Sequence, residues 1–177
     1  MKYVALLRGI NVGGNRKVDM GKLKETFVRA GMDEVRTYIN SGNVIFSSDS
    51  TDAVDLRRTL ERAVRDGFGF DVRVLVRDET SIRELLDALP DAWADDETAK
   101  CDVIFLGDEV DGPEVFEHLT TKPGIDDARY VPGAVLWRVE RHNVTRSGLI
   151  KLAGTELYAA TTLRNCNTVR KIDALMR

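Results

Sequence analysis

The sequence lacks any apolar run approaching the roughly 20 residues needed to span a bilayer, so no membrane partner is expected. Its start reads as a strand rather than a signal peptide, because Lys2 precedes a short apolar stretch that Arg8 interrupts. Cysteine is scarce. Cys101 and Cys166 are the only two, and Cys101 lies in an apolar run, which points to a reduced, cytoplasmic protein. Histidine is equally scarce: His118 falls in a helical pattern and His142 in a loop, without ligand spacing around either, so no metal is expected. The phosphate-loop pattern Gly-x-x-x-x-Gly-Lys-Ser/Thr and the dinucleotide fingerprint are missing. No nucleophile elbow is present either, although Ser41 and Ser147 each precede a glycine. No cofactor is implied, and no residue is assigned a catalytic role.

What is present is an uneven charge. The 177 residues carry a net charge of −3. Residues 1–30 hold seven Lys or Arg against two acids, and residues 138–177 hold eight against three. Residues 90–127 hold two against twelve. Either this is a solvated surface of uneven charge, or the two basic ends serve one electropositive site. The acidic middle disfavours nucleic acid wrapped as an extended track.

Residues 3–8 form an apolar run ending at Gly9 and read as a buried strand. Asp19 can cap a helix with the stripe Met20, Leu23, Phe27 and Ala30, stopped by Gly31. Val35 to Ile39 and Val44 to Ser47 read as strands around a tight Asn40–Asn43 turn. Thr51 or Asp52 can cap a second helix that Gly67 ends, and Val72, Val74 and Val76 mark a strand. The order β-α-β-β-α-β is the ferredoxin-like arrangement. Ser81 and Glu84 form a capping box for a helix stopped by Pro90. Residues 91–99 then read as a linker in which Trp93 anchors to a core.

The remainder looks like an abbreviated copy. It has a strand over Cys101–Leu106, a helix opened by Pro113, and a hairpin of Ala128–Val131 and Ala134–Val139. A polar loop over 141–148, a short helix near Leu149 and a last helix carrying Val169, Ile172, Leu175 and Met176 complete it. The expected fold is α+β: a ferredoxin-like domain over 1–90, a linker over 91–99, and a smaller α+β domain over 100–177 with a hairpin and C-terminal helices.

Three polar runs stand out. Arg8 to Val18 holds three glycines, two asparagines and three basic residues between a strand and a helix. It is either a long connection needing positive φ, or a backbone cradle for an anion in which Arg8, Asn11, Gly13, Gly14 and Lys17 take part. Asn40, Ser41 and Asn43 either build a hairpin turn or present paired donors and acceptors to a ligand. Thr161 to Thr168 precedes and opens the last helix. One asparagine there explains a helix cap, and Thr162, Arg164, Asn165 and Thr168 together are anion-binding equipment. Tyr130, Trp137 and Phe46 read as core residues, though aromatics on such a sheet can also face single-stranded RNA.

Three stretches also carry a resemblance. They are Leu6-Leu7-Arg8-Gly9-Ile10-Asn11-Val12-Gly13-Gly14, Thr37-Tyr38-Ile39-Asn40-Ser41-Gly42-Asn43-Val44 and Thr162-Leu163-Arg164-Asn165-Cys166-Asn167-Thr168-Val169. In that order the chain resembles the bacterial family called domain of unknown function 1697, over nearly its whole length. The third stretch departs from the family. Leu163 separates Thr162 from Arg164, and Cys166 stands where an aromatic residue is usual, so Cys166 reads as a packing replacement. The resemblance implies two small α+β parts and supplies no activity.

The expectation is a protein that binds a phosphate-bearing ligand (a nucleotide, phosphorylated metabolite or nucleic-acid end) where the three runs converge at the junction of the halves. Two other classes stay open. One is an enzyme acting on such a substrate, with His142, Asp19 or Glu156 as its titratable group. The other is an interaction module in which the motifs are structural. The oligomeric state is not defined by the sequence.

Overall fold

A computed structural model describes residues 1–177. By its contacts the chain divides into two compact units, Met1–Ile82 with Ile172–Arg177, and Arg83–Lys171.

The first unit is built on β1 (Lys2–Leu7), α1 (Met20–Arg29), β2 (Asp33–Tyr38), β3 (Asn43–Ser47), α2 (Ala53–Phe68) and β4 (Val74–Asp78). The four strands form one antiparallel sheet in the order β2-β3-β1-β4, which is the ferredoxin-like arrangement. Tyr3, Ala5 and Leu7 face the helices and pack with Phe46, Leu23, Phe27, Leu60 and Val64. Val4 and Leu6 on the other face are buried too. Burial on both faces is why β1 reads as a continuous apolar run rather than an alternating one.

The helix ends follow from local chemistry. Asp19 caps α1 through the Lys22 N–H, and Asp52 caps α2 through the N–H groups of Val54 and Asp55. α2 runs past Gly67, the expected stop, and ends at Gly69 in the left-handed region. The third helix, α3 (Glu79–Ala88), starts before Ser81; its first turn is held by Asp78, which accepts the Ser81 N–H at 2.7 Å. The division between units falls inside α3.

The second unit repeats the topology with little helix. Its strands are β5 (Ala99–Leu106), β6 (Asp126–Val131), β7 (Ala134–Glu140) and β8 (Thr161–Asn165), in the order β6-β7-β5-β8. The first crossover is two short 3-10 segments, Asp108–Val110 and Pro113–Glu117, where the sequence suggests a helix. The second is two longer ones, Arg141–Arg146 and Gly148–Gly154, followed by the four-residue α4 (Glu156–Ala159). Val115, Leu149, Leu152 and Leu157 from these segments, with Leu119 just after the first crossover's second segment, cover Ile104, Leu106, Val135 and Trp137. β8 was not legible as a strand. It pairs with β5 from Asp102↔Asn165 to Leu106↔Thr161 and leads directly into α5 (Cys166–Met176).

Candidate functional site

In this topology β2 runs parallel to β1 with β3 between them, so the β1–α1 loop and the β2–β3 turn emerge at the same end of the sheet. Backbone bonds fix the meeting. Leu7 N–H donates to Gly42 O at 2.8 Å, and Arg8 N–H donates to Arg73 O at 2.9 Å. Gly42 is required here: its φ is +86°, and an added Cβ would lie 2.8 Å from Ile10 Cδ1 and 2.9 Å from Leu7 Cβ.

The two runs are joined by Asn11. Its Nδ2 donates to Asn40 O at 2.9 Å and to Val18 O at 3.0 Å, and its Oδ1 accepts from Val18 N–H at 2.8 Å. Residues 12–15 thereby close into a tight loop, with Gly13 and Gly14 both at positive φ. Asn43 is fully buried and donates to Tyr38 O and Ser41 Oγ, each at 3.0 Å. Asn11 and Asn43 therefore hold the walls.

Between the walls lies a cleft of about 470 Å³ lined by Asn11, Gly14, Lys17, Asp19, Gly21 and Asn40, among others. The Lys17 ammonium and the Asn40 amide are exposed and make no hydrogen bond to the rest of the chain. Asp19 is the one carboxylate in the cleft, and its Oδ1 accepts the Lys22 N–H at 2.8 Å. Further cations stand at this end. The Lys22 Nζ lies 4.6 Å from the centre of the Phe68 ring, and the Arg16 guanidinium lies 6.0 Å from that of Phe70. Arg8 is half-buried at the end of β1. Sequence reasoning missed Lys22, Phe68 and Phe70. The signal for Lys22 was available: the first turn of α1 contains no acid, although acids are favoured there.

The third run belongs to the second unit. Asn165 caps α5, its Oδ1 accepting from the N–H groups of Asn167 at 2.8 Å and Thr168 at 3.2 Å. Its Nδ2 donates to Asp95 Oδ2 at 2.7 Å. Asp95 also accepts from Cys101 N–H and Arg141 Nη2, both at 3.0 Å. The segment 91–99 is thus tied into the second unit, with Trp93 buried and the Arg129 guanidinium 4.6 Å from its ring centre. Arg164 is buried on β8, and its Nη1 donates to Thr162 Oγ1 at 2.9 Å and Leu163 O at 2.8 Å. Burial pushes its pKa down to about 10.

The profile of the family described as protein of unknown function (DUF1697) matches residues 1–137. The chain belongs to that family. Both cleft-forming runs of this DUF1697 chain lie inside the matched span, and Thr161–Thr168 lies beyond it. A solved structure, that of a conserved bacterial protein from Streptococcus pneumoniae, is similar across 99% of this chain and 98% of its own, with 28% identity and a TM-score of 0.85. No curated protein matches.

The cysteines of the DUF1697 chain differ from expectation. Cys101 and Cys166 form a disulfide between β5 and the first residue of α5, both fully buried. Cys166 thus cross-links the unit rather than merely filling the place of an aromatic. Of the titratable candidates, only Asp19 lines the cleft. His142 is exposed beside Glu140 at 3.3 Å, and Glu156 lines a separate cleft with His118 in the second unit. No helix is long and apolar enough to cross a membrane.

Proposed function

We propose that this DUF1697 chain binds a small phosphate-bearing ligand, such as a phosphorylated metabolite or a nucleotide, in the cleft between the β1–α1 loop and the β2–β3 turn. The observation that carries this reading is a division of labour among polar side chains. Asn11 and Asn43 spend their hydrogen bonds on the walls, while Lys17 and Asn40 at the cleft have none within the chain. An ammonium held beside glycine-rich backbone suits a phosphate. The Asp19 charge opposes an anion; Lys17 lines the cleft with it, and Arg16 and Lys22, set against Phe70 and Phe68, add positive charge at this end of the sheet. The reading is one of binding rather than catalysis, because the single carboxylate at the cleft is committed to capping α1. Cytoplasmic residence is part of the proposal. The Cys101–Cys166 bond is compatible with it, because neither sulfur is exposed to attacking thiols.

Thermal unfolding with inorganic phosphate and a panel of phosphorylated metabolites tests the reading, since a ligand of the folded state raises the midpoint. The expected result is a rise in the parent protein that Lys17→Ala abolishes without changing the ligand-free midpoint. An equal rise in both proteins places the ligand elsewhere and removes the proposal.

A further inference from the structure

The outer strands of the two sheets are β2, β4, β6 and β8. β4 and β8 are mostly buried. β2 is interrupted: its register with β3 shifts between Asp33 and Arg36, and Glu34 has a φ of +49°. Such an irregularity blunts an edge against a further strand. β6 differs from all of these. No residue in it is buried, and it pairs with β7 without a shift from Asp126↔Val139 to Val131↔Ala134.

The turn decides which backbone groups of β6 face outward. Only Pro132 and Gly133 separate Val131 from Ala134, so that pair closes the hairpin with its own hydrogen bonds. Bonded and non-bonded pairs alternate along an antiparallel ladder. Arg129 and Asp127 therefore bond to β7, and the N–H and C=O groups of Ala128 and Tyr130 point away from the sheet. The Asp126 backbone shares their direction, but its N–H donates to Lys122 O at 2.9 Å, which leaves its carbonyl. Side chains fix the strand at both ends. Asp126 accepts from Trp137 Nε1 at 3.2 Å, and the Tyr130 hydroxyl donates to Asp111 at 3.0 Å.

We infer that β6 is a self-association edge: a second copy of this chain lays its own β6 alongside, antiparallel, with Ala128 facing Ala128 across a two-fold axis. Charge decides both the occupant and the register. Asp127 and Arg129 share one face of the strand, their side chains 51% and 50% exposed. The guanidinium donates to the carboxylate at 3.2 and 3.3 Å and lies 4.6 Å from the centre of the Trp93 ring. A pair held in this way loses little side-chain freedom when a second strand arrives. In the Ala128-centred register each Asp127 stands opposite the other copy's Arg129, at the close, non-bonded positions of the ladder. The charges then alternate in sign both along and across the strands. Moving the centre to Asp127 or to Arg129 sets like charges against each other, which disfavours both neighbouring registers. The backbone agrees with the same centre. Each Ala128 N–H meets the other copy's Ala128 carbonyl, and each Tyr130 N–H meets the other copy's Asp126 carbonyl. A foreign strand would need this alternation of charge at this spacing, and a second copy carries it already.

Sedimentation velocity of the full chain from about 1 µM to about 1 mM tests this. The parent is expected to pass from monomer to dimer within that range. Hydrogen exchange at the Ala128 and Tyr130 amides is expected to slow about tenfold along with it. Asp127→Arg and Arg129→Asp each set like charges across the pair, and each variant alone is expected to stay monomeric. Mixed in equal amounts, the two variants are expected to dimerise with each other, because each then faces the opposite charge. That recovery excludes loss of fold as the reason either one is monomeric alone. A parent that stays monomeric overturns the inference and leaves the edge to a strand of another protein. Dimers that survive both single substitutions lie on another surface and overturn it as well. So does a mixture of the two variants that stays monomeric. None of these outcomes bears on the cleft of the first unit.

Discussion

The two units share a strand order and differ in how they hold it. The first closes both crossovers with amphipathic helices of 10 and 16 residues, capped at their starts by Asp19 and Asp52. The second uses 3-10 segments and a four-residue helix. Its order comes instead from carboxylates placed on backbone and side-chain donors. Asp126 accepts from Ser147, Gly148 N–H, Lys122 N–H and Trp137 Nε1. Asp96 accepts from both Thr98 groups and Ala99 N–H, and Asp111 holds Tyr130 and Gly133. The acidic middle of the chain is thus partly internal scaffolding rather than only solvated surface. The lesson is that strand topology tolerates the loss of regular helices when fixed acceptors replace them.

The largest test of this contrast is the Cys101–Cys166 bond, which exists only in the second unit. With the cysteines separated by 65 positions in sequence, the chain-entropy account puts its contribution at about 4 kcal/mol. Cys166→Ser is expected to lower hydrogen-exchange protection in β5, β7 and β8 far more than in β1 and β3. Equal loss in both units would break the contrast.

Next comes Gly42→Ala, which strikes the first unit at its tightest backbone approach. Unfavourable φ and contact with Ile10 and Leu7 together are expected to cost about 3 kcal/mol in urea unfolding. The cleft walls should loosen with it.

Asp126 provides the pH test. Burial alone raises its pKa, but the donations from Ser147, Gly148, Lys122 and Trp137 outweigh burial, so the carboxyl titrates below its ordinary value. A carboxyl with a depressed folded pKa contributes stability that is fully present above the unfolded value near ~4 and is lost as pH falls through the folded value. Asp126→Asn is expected to flatten the part of the stability–pH curve that falls below about pH 5, and, by weakening these buried hydrogen bonds, to cost about 2 kcal/mol at neutral pH. A curve unchanged in shape would show that another group carries the acid sensitivity.

The smallest effect is expected from Asn165→Ala. Loss of the α5 cap costs about 1 kcal/mol, and loss of the Asp95 contact should loosen 91–99, visible as faster proteolysis near Trp93.

Much of the first unit was legible because its signals are local. Asp19, Gly31, Asp52 and the Asn40–Asn43 turn mark ends, and the apolar stripes of α1 and α2 repeat at helical spacing. The errors there are shifts: Gly69 rather than Gly67 ends α2, and Asp78 rather than Ser81 holds the start of α3. The second unit was harder because its determinants are long-range. β8 hides because Thr161, Thr162 and Arg164 are polar yet buried, and no periodic rule marks such a strand. Pro113 does open a turn, but the chain leaves helical geometry after Glu117. The cysteine pair depends on β5 and β8 being neighbours, which only the sheet reveals. At the cleft, glycines and asparagines announced the loop and the turn. Their spacing could not say which asparagine braces the wall and which stays available.

α5 also bears on the order of synthesis. Its residues up to Lys171 belong to the second unit, and Ile172–Arg177 belong to the first, where Lys2 Nζ bonds the Arg177 carbonyl oxygen at 2.9 Å. A ribosome makes residues 1–82 early, yet the unit they form is completed only after all of the second unit has been translated.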